Sequence, residues 1–252
     1  MTISKPYRRV IRPFKNSQGR NDIYTNTISQ SYFTDLEYAS DRISLIRSFN
    51  LLEKDLIRLF DYIEPSDQNN TVFSHRLYEL FLRASTEFET NCKSILMDNN
   101  YRSSGNLNIL DYYKINQSSR LSEYEVNVSI WNEANKKVKP FEQWRSTHTL
   151  PWYRDYNNVK HNRSEFFELA NLENVILAVS GVFIILFSQF YILSFQSNVE
   201  VYSVGDCNGW LSHENSIFSI KMPMSWTESD YYEFDWEALK NDADRYELFN
   251  FI

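Results

Sequence analysis

The chain reads as a mainly α-helical protein, an up-and-down bundle of long helices with a small irregular or β C-terminal segment. Three observations predict this. Only five glycines and six prolines punctuate 252 residues, too few for the many tight turns of a β-sandwich or doubly wound fold. Apolar residues recur at helical spacing in two long stretches of the first half. A third stretch, Asn174 to Val199, carries no charged side chain and must be buried.

Composition supports a large core. The chain holds 17 tyrosines, 18 phenylalanines and six tryptophans, and each aromatic can bury ~150–250 Å². The net charge of −7 is unevenly spread. Residues 1–20 carry six basic side chains and no acid, whereas residues 199–252 carry eleven acids and three bases. This divides the chain into a basic N-terminal arm (1–30), a helical domain (31–198) and an acidic, aromatic-rich C-terminal segment (199–252). The arm reads as a solvated terminus, and its charge complements the acidic tail, within one chain or across a dimer. A net acidic protein makes only local contacts with nucleic acid.

The elements follow in order. Thr34 and Glu37 in TDLE have the spacing of a capping box. From there Ile43, Ile46, Phe49, Leu52, Leu56, Leu59 and Ile63 predict a first helix over 35–63, ended by EPSDQNN. Phe73, Leu77, Leu80, Phe81, Ala84, Phe88, Ile95 and Leu96 predict a second over 72–98. Arg83 and Glu87 are placed on it to form an i,i+4 ion pair. Residues 99–149 read as an insertion, with a short helix in LNILDYYKI and an extended piece in EVNVSIW. Pro151 suits the first turn of a third helix over 151–168. In the acidic segment, VYSVGD, CNGW and SIFSIKMP suggest short strands.

The uncharged stretch meets the length of a membrane span. Its flanks carry Glu173 and Glu200, with no lysine or arginine to set an orientation. The core helix of a bundle is therefore the favoured reading.

Several chemistries lack their residues. Two cysteines, Cys92 and Cys207, make no disulfide framework or CxxC site, which fits a reducing cytosol. The four histidines show no metal-ligand spacing, so no metal is expected. No glycine-rich phosphate loop and no GxSxG occurs, and no cofactor is called for. MTISKPYRRVIRPFK has no apolar signal core.

What remains is the third helix. Arg154 and His161 are seven residues apart and return to one face within about 20°. Asn158 and Glu165 share that face. Trp152, Tyr156, Val159, Phe166 and Ala170 form a separate apolar stripe that would face the core.

Arg154-DYNNVK-His161 resembles the Arg-x4–6-His motif of the HEPN superfamily, compact α-helical bundles with the motif on a late helix. The likeness covers roughly 35–197. It implies a metal-independent endoribonuclease, a toxin or antiphage-defence effector, working as a homodimer whose motif helices face each other across a two-fold. The implied catalytic residues are Arg154 and His161. An imidazole, titrating near ~6.5, can move the proton of a ribose 2′-OH or of the leaving oxygen. A guanidinium can hold the phosphate and its developing charge. Asn157, Asn158, Lys160 and Arg163 are the candidate substrate contacts, with Tyr153 and Tyr156 as candidate base-stacking residues. Two alternatives stay open: a non-catalytic HEPN-like module that engages a partner protein or nucleic acid in a larger defence assembly, and a single-span membrane protein.

Overall fold

The computed structural model describes residues 2–15, 21–22, 31–132, 136–191, 204–205, 209–213 and 215–252. In chain order the elements are β1 (Phe14–Lys15), β2 (Asn21–Asp22), α1 (Arg42–Leu59), α2 (His75–Asp98), α3 (Ile109–Tyr113), α4 (Ile115–Ser119), β3 (Glu125–Val128), β4 (Lys136–Val138), α5 (Pro151–His161), α6 (Arg163–Phe166), α7 (Leu172–Phe190), β5 (Val204–Gly205), β6 (Trp210–Ser212), β7 (Phe218–Lys221) and α8 (Trp236–Leu239). The protein is mostly helical with a small antiparallel sheet. Expectations for 16–20, 23–30 and 192–203 fall outside the described residues.

At the centre lies α7. Its apolar residues from Val175 to Phe190 are buried on every side of the helix, except for a partly buried Leu177. Its hydropathy would pass for a membrane span, yet 89% of that stretch is enclosed by the protein itself. Up to Phe190 the uncharged stretch is thus a core helix; its remainder, 192–199, lies outside the described residues. Ends of buried helices leave carbonyls to satisfy. Here the Ile11 amide donates to the Ser188 carbonyl at 2.8 Å, and the Tyr38 hydroxyl donates to that of Gln189 at 2.7 Å.

Around α7 pack α1 and α2 by most of each predicted apolar stripe, from Ile46 to Leu56 and from Leu77 to Leu96. Ile43 and Phe73, also expected on those stripes, are instead 71% and 47% exposed, near the helix starts where neighbouring elements only partly cover them. Ser74 caps α2 by accepting from the Leu77 amide at 3.2 Å. The first helix starts later than predicted. Asp35 organises the turn there by accepting from the Glu37 amide at 2.9 Å, and it also binds Arg245 at 2.8 Å. A short polar side chain that bonds the local backbone competes with helix. Arg83 likewise reaches across to Asp55 of α1, at 2.6 Å, in place of Glu87.

Gly181 lets α7 come close to the motif helix. A Cβ there would stand 3.3 Å from Phe141 Cζ and 3.5 Å from Trp152 Cζ2. Trp152 is itself held, its indole donating to the Pro140 carbonyl at 2.9 Å. Gly181→Val is expected to cost about 1–3 kcal/mol by overpacking. A lowered urea midpoint would register it; an unchanged midpoint would contradict this packing.

The sheet is not confined to the C-terminal segment: the extended piece expected in EVNVSIW is strand β3, and it joins the C-terminal strands. One sheet has the order β4-β3-β7-β6-β5, all antiparallel. Val126 aligns with Val138 on one side and Ile220 on the other. Segment 99–149 therefore shares a sheet with the C-terminal segment across the boundary drawn at 198. Alternation puts Val126, Val128, Phe218 and Ile220 on the inner face. Phe218 packs against Phe183 of α7 at 5.9 Å and Phe49 of α1 at 6.3 Å.

Glu53 joins α1 to the turn before β7. It is buried and accepts from Ser216 Oγ at 2.6 Å and the Ile217 amide at 3.0 Å. His213 Nε2 stands 3.7 Å away. Burial, the largest influence, raises the carboxyl above its ordinary 4.5, against the pull of the two hydrogen bonds. The folded state thus binds this proton more tightly than the unfolded chain, so its contribution to stability falls as pH rises through the raised value. Glu53→Gln cannot ionise and is expected to flatten the decline in urea midpoint as pH rises above the ordinary carboxyl value of 4.5. Identical slopes for both chains would contradict this.

The N-terminal arm differs most from expectation. Within 2–15 it is packed, not solvated: Arg9, Val10, Ile11, Arg12 and Phe14 are buried. It runs beside the C-terminal segment, with Tyr232 N donating to the Pro13 carbonyl and Lys15 N to that of Tyr232, both at 2.9 Å. Arg12 pairs with Asp230 at 3.2 Å and Lys15 with Glu228 at 3.0 Å. The basic arm and acidic tail do meet, within one chain.

Candidate functional site

The motif helix α5 is seated by its inner face. Trp152, Tyr153, Tyr156 and Val159 are buried, and Phe88 of α2 meets Trp152 at 5.3 Å and Tyr153 at 5.9 Å. The Tyr153 hydroxyl donates to Glu89 at 2.8 Å; burial first, and this carboxylate second, push the phenol up. Pro151 occupies the first turn as predicted.

The helix is shorter than the predicted 151–168. It ends at His161, and Asn162 leaves helical geometry at φ −143°. Asn162 donates to Glu165 at 2.7 Å and accepts from Ser164 Oγ at 2.8 Å. These local bonds compete with the helical ladder, so Glu165 is not carried on the motif face.

The open face of α5 holds three of the six candidates. Arg154 and His161 are exposed and Asn158 is half-buried. Arg154 binds Asp155 at 3.2 Å. Asp155 in turn accepts from Asn174 at 3.2 Å, and Asn174 also donates to the Leu169 carbonyl at 2.9 Å. Arg154 is thereby tied through Asp155 to the start of α7. The bracing roles of Asp155 and Asn174 are not legible in the sequence, because they depend on a contact across nineteen residues. His161 and Asn158 make no side-chain hydrogen bond or ion pair among the described residues.

The other three are drawn elsewhere. Lys160 donates to the Tyr156 hydroxyl at 3.0 Å and stands 4.0 Å from Glu89; the bond to Tyr156 raises its pKa. Asn157 donates to its own helix, at the Tyr153 carbonyl, 3.0 Å away. Arg163 lies past the helix break, its guanidinium 5.5 Å from the Tyr78 ring. Tyr153 and Tyr156 are core residues, which removes them as open stacking platforms.

Among the described residues no three His, Cys, Asp or Glu side chains are placed to hold a metal. Cys92 is fully buried and desolvation raises its thiol, the environment of an inert core cysteine.

Fold and site define a mostly helical bundle that presents an Arg/Asn/His face on a helix braced against its core helix. Comparison with protein-family models, curated proteins and solved structures finds no match for this chain.

Proposed function

We propose that this protein is a HEPN-like endoribonuclease that cleaves RNA by 2′-OH attack without a metal, acting in the cytoplasm as a toxin or antiphage-defence effector. The observation that carries the reading is the shared open face of Arg154 and His161 on a helix whose opposite face is buried. In this reading His161 moves the protons and Arg154 holds the scissile phosphate. The bundle of α1, α2, α5 and α7, with the apolar helix following the motif, supports the HEPN-like assignment.

Arg154 and His161 are about 10.5 Å apart along the helix axis, at 1.5 Å per residue. A single phosphodiester is smaller than that. The reading therefore takes a homodimer with motif helices antiparallel across a two-fold, so that His161 of one copy works beside Arg154 of the other.

The test is incubation of the purified protein with RNA in excess EDTA. Cleavage that persists and leaves 2′,3′-cyclic phosphate ends supports the reading; cleavage lost to EDTA opposes it. The second reading, a non-catalytic HEPN-like module in a defence assembly, draws on His161 having no orienting partner among the described residues. Retention of RNA or a partner protein with no cleavage product would favour it.

A further inference from the structure

A second site lies on the opposite side of α2 from the motif helix. Between the C-terminal half of α1 and the N-terminal half of α2 is a cleft of about 350 Å³, within the ~300–1,000 Å³ range of small-molecule sites. Arg58, Arg76 and Arg83 line it, with Asp55, Glu79 and Tyr62. Leu59 and Leu80 line it too, and Leu80 is buried. No residue of α5 contributes.

We propose that this cleft binds a nucleoside phosphate, with the three arginines taking the phosphate and Tyr62 the base. Charge comes first. Three guanidinium groups against two carboxylates leave the cleft at +1 in a chain of net charge −7. Each guanidinium carries five donors in a planar fork that matches phosphate oxygens.

Orientation comes second. Asp55 binds Arg58 at 3.2 Å and Arg83 at 2.6 Å, so one carboxylate from α1 holds two of the forks, whose remaining donors have no partner among the described residues. Among the described residues Arg76 pairs with Glu79 alone, at 2.7 Å, and both side chains are more than half exposed. Such an exposed pair is weak, and a dianionic phosphate can replace it.

The third observation is Tyr62. Its side chain is 87% exposed at the cleft's rim, an unusual place for an aromatic ring and a ready face for stacking on a base. A shallower hollow of about 220 Å³, lined in part by Ser48, Thr86 and Glu87, adjoins at Arg83. It offers polar groups to a ribose. Sequence reading missed the cleft, although Arg76 and Arg83 are seven apart on one helix face, the same signal that singled out Arg154 and His161.

The test is equilibrium binding of AMP, GMP, CMP and UMP to the full-length protein by isothermal titration, with adenosine and inorganic phosphate as separate arms. At least one mononucleotide is expected to bind saturably, and adenosine at least 10-fold more weakly than AMP wherever AMP binds. Arg58→Gln, Arg76→Gln and Arg83→Gln combined should weaken nucleotide binding at least 10-fold. Tyr62→Ala should weaken the nucleotide several-fold and leave inorganic phosphate unchanged. Arg76→Gln alone, at a side chain 77% exposed, gives a folded variant should the triple fail. No saturable binding by any mononucleotide, adenosine binding as tightly as AMP, or arginine variants binding like wild type would each overturn the proposal. His161→Ala should bind nucleotide like wild type, so the result is independent of the ribonuclease reading.

Discussion

His161→Ala is expected to lower RNA cleavage by about 10²–10⁴-fold, the usual contribution of a positioned general acid–base group. Arg154→Ala should lose about 10²–10³-fold, the scale for removing one donor to a developing charge. Neither change should disturb the fold. The Arg154 side chain is 70% exposed, His161 is exposed, and surface substitutions generally stay within about 0.5 kcal/mol. Urea midpoints equal to wild type, beside lost cleavage, are the expected pair of results.

Mixing the two inactive variants separates the arrangements. If each site takes His161 from one copy and Arg154 from the other, a mixed dimer keeps one intact site and activity returns. A site built within one copy cannot be repaired this way. Wild-type cleavage by both single variants would remove these residues from the mechanism altogether.

Arg9→Ala is expected to destabilise the protein by about 3 kcal/mol, the lower end of the cost of leaving a buried ion pair half-made. The Arg9 side chain is 4% exposed and pairs with Asp41 and Asp98, whose side chains are 36% and 35% exposed. A further donor reaches Gln189 of α7 at 3.2 Å, and Gln189 donates to Asn91 of α2 at 2.8 Å. One guanidinium thus ties the arm to α2, α7 and the residue before α1. Its removal leaves two carboxylates facing each other, with partial access to water moderating the cost. For a chain of this size the melting temperature should fall roughly 6–12 °C, at about 2–4 °C per kcal/mol. Arg8→Ala is the control, since among the described residues the Arg8 side chain donates only to the Glu37 carbonyl at the surface and should cost under about 0.5 kcal/mol. Equal losses from both variants would refute the network.

Arg9 also shows where sequence reading ran out. Six basic residues without an acid look like a solvated arm, because charge is normally left in water. Here Arg9 adopts a left-handed φ of 57° and its charge is matched by acids 32 and 89 residues away. No local pattern carries that pairing. In 99–149 the short helix and the extended piece were legible, but not their assembly: β3 is four residues long, and its partner β7 lies about ninety residues on. The apolar stripes of α1, α2 and α7 were legible because helical periodicity is a local property that burial preserves.

The sequence by itself determined the long helices α1, α2 and α7, the core role of the uncharged stretch up to Phe190, and the spacing that turns Arg154, Asn158 and His161 to one face of a helix. Periodicity and composition suffice for each. Only the tertiary structure decided that this helix stops at His161, that Asp155 and Asn174 brace Arg154 against α7, and that Lys160, Asn157 and Arg163 are drawn to other partners. It alone also placed Arg58, Arg76 and Arg83 around one cleft. Those outcomes depend on which distant side chains meet, and long-range contacts leave no period in the chain.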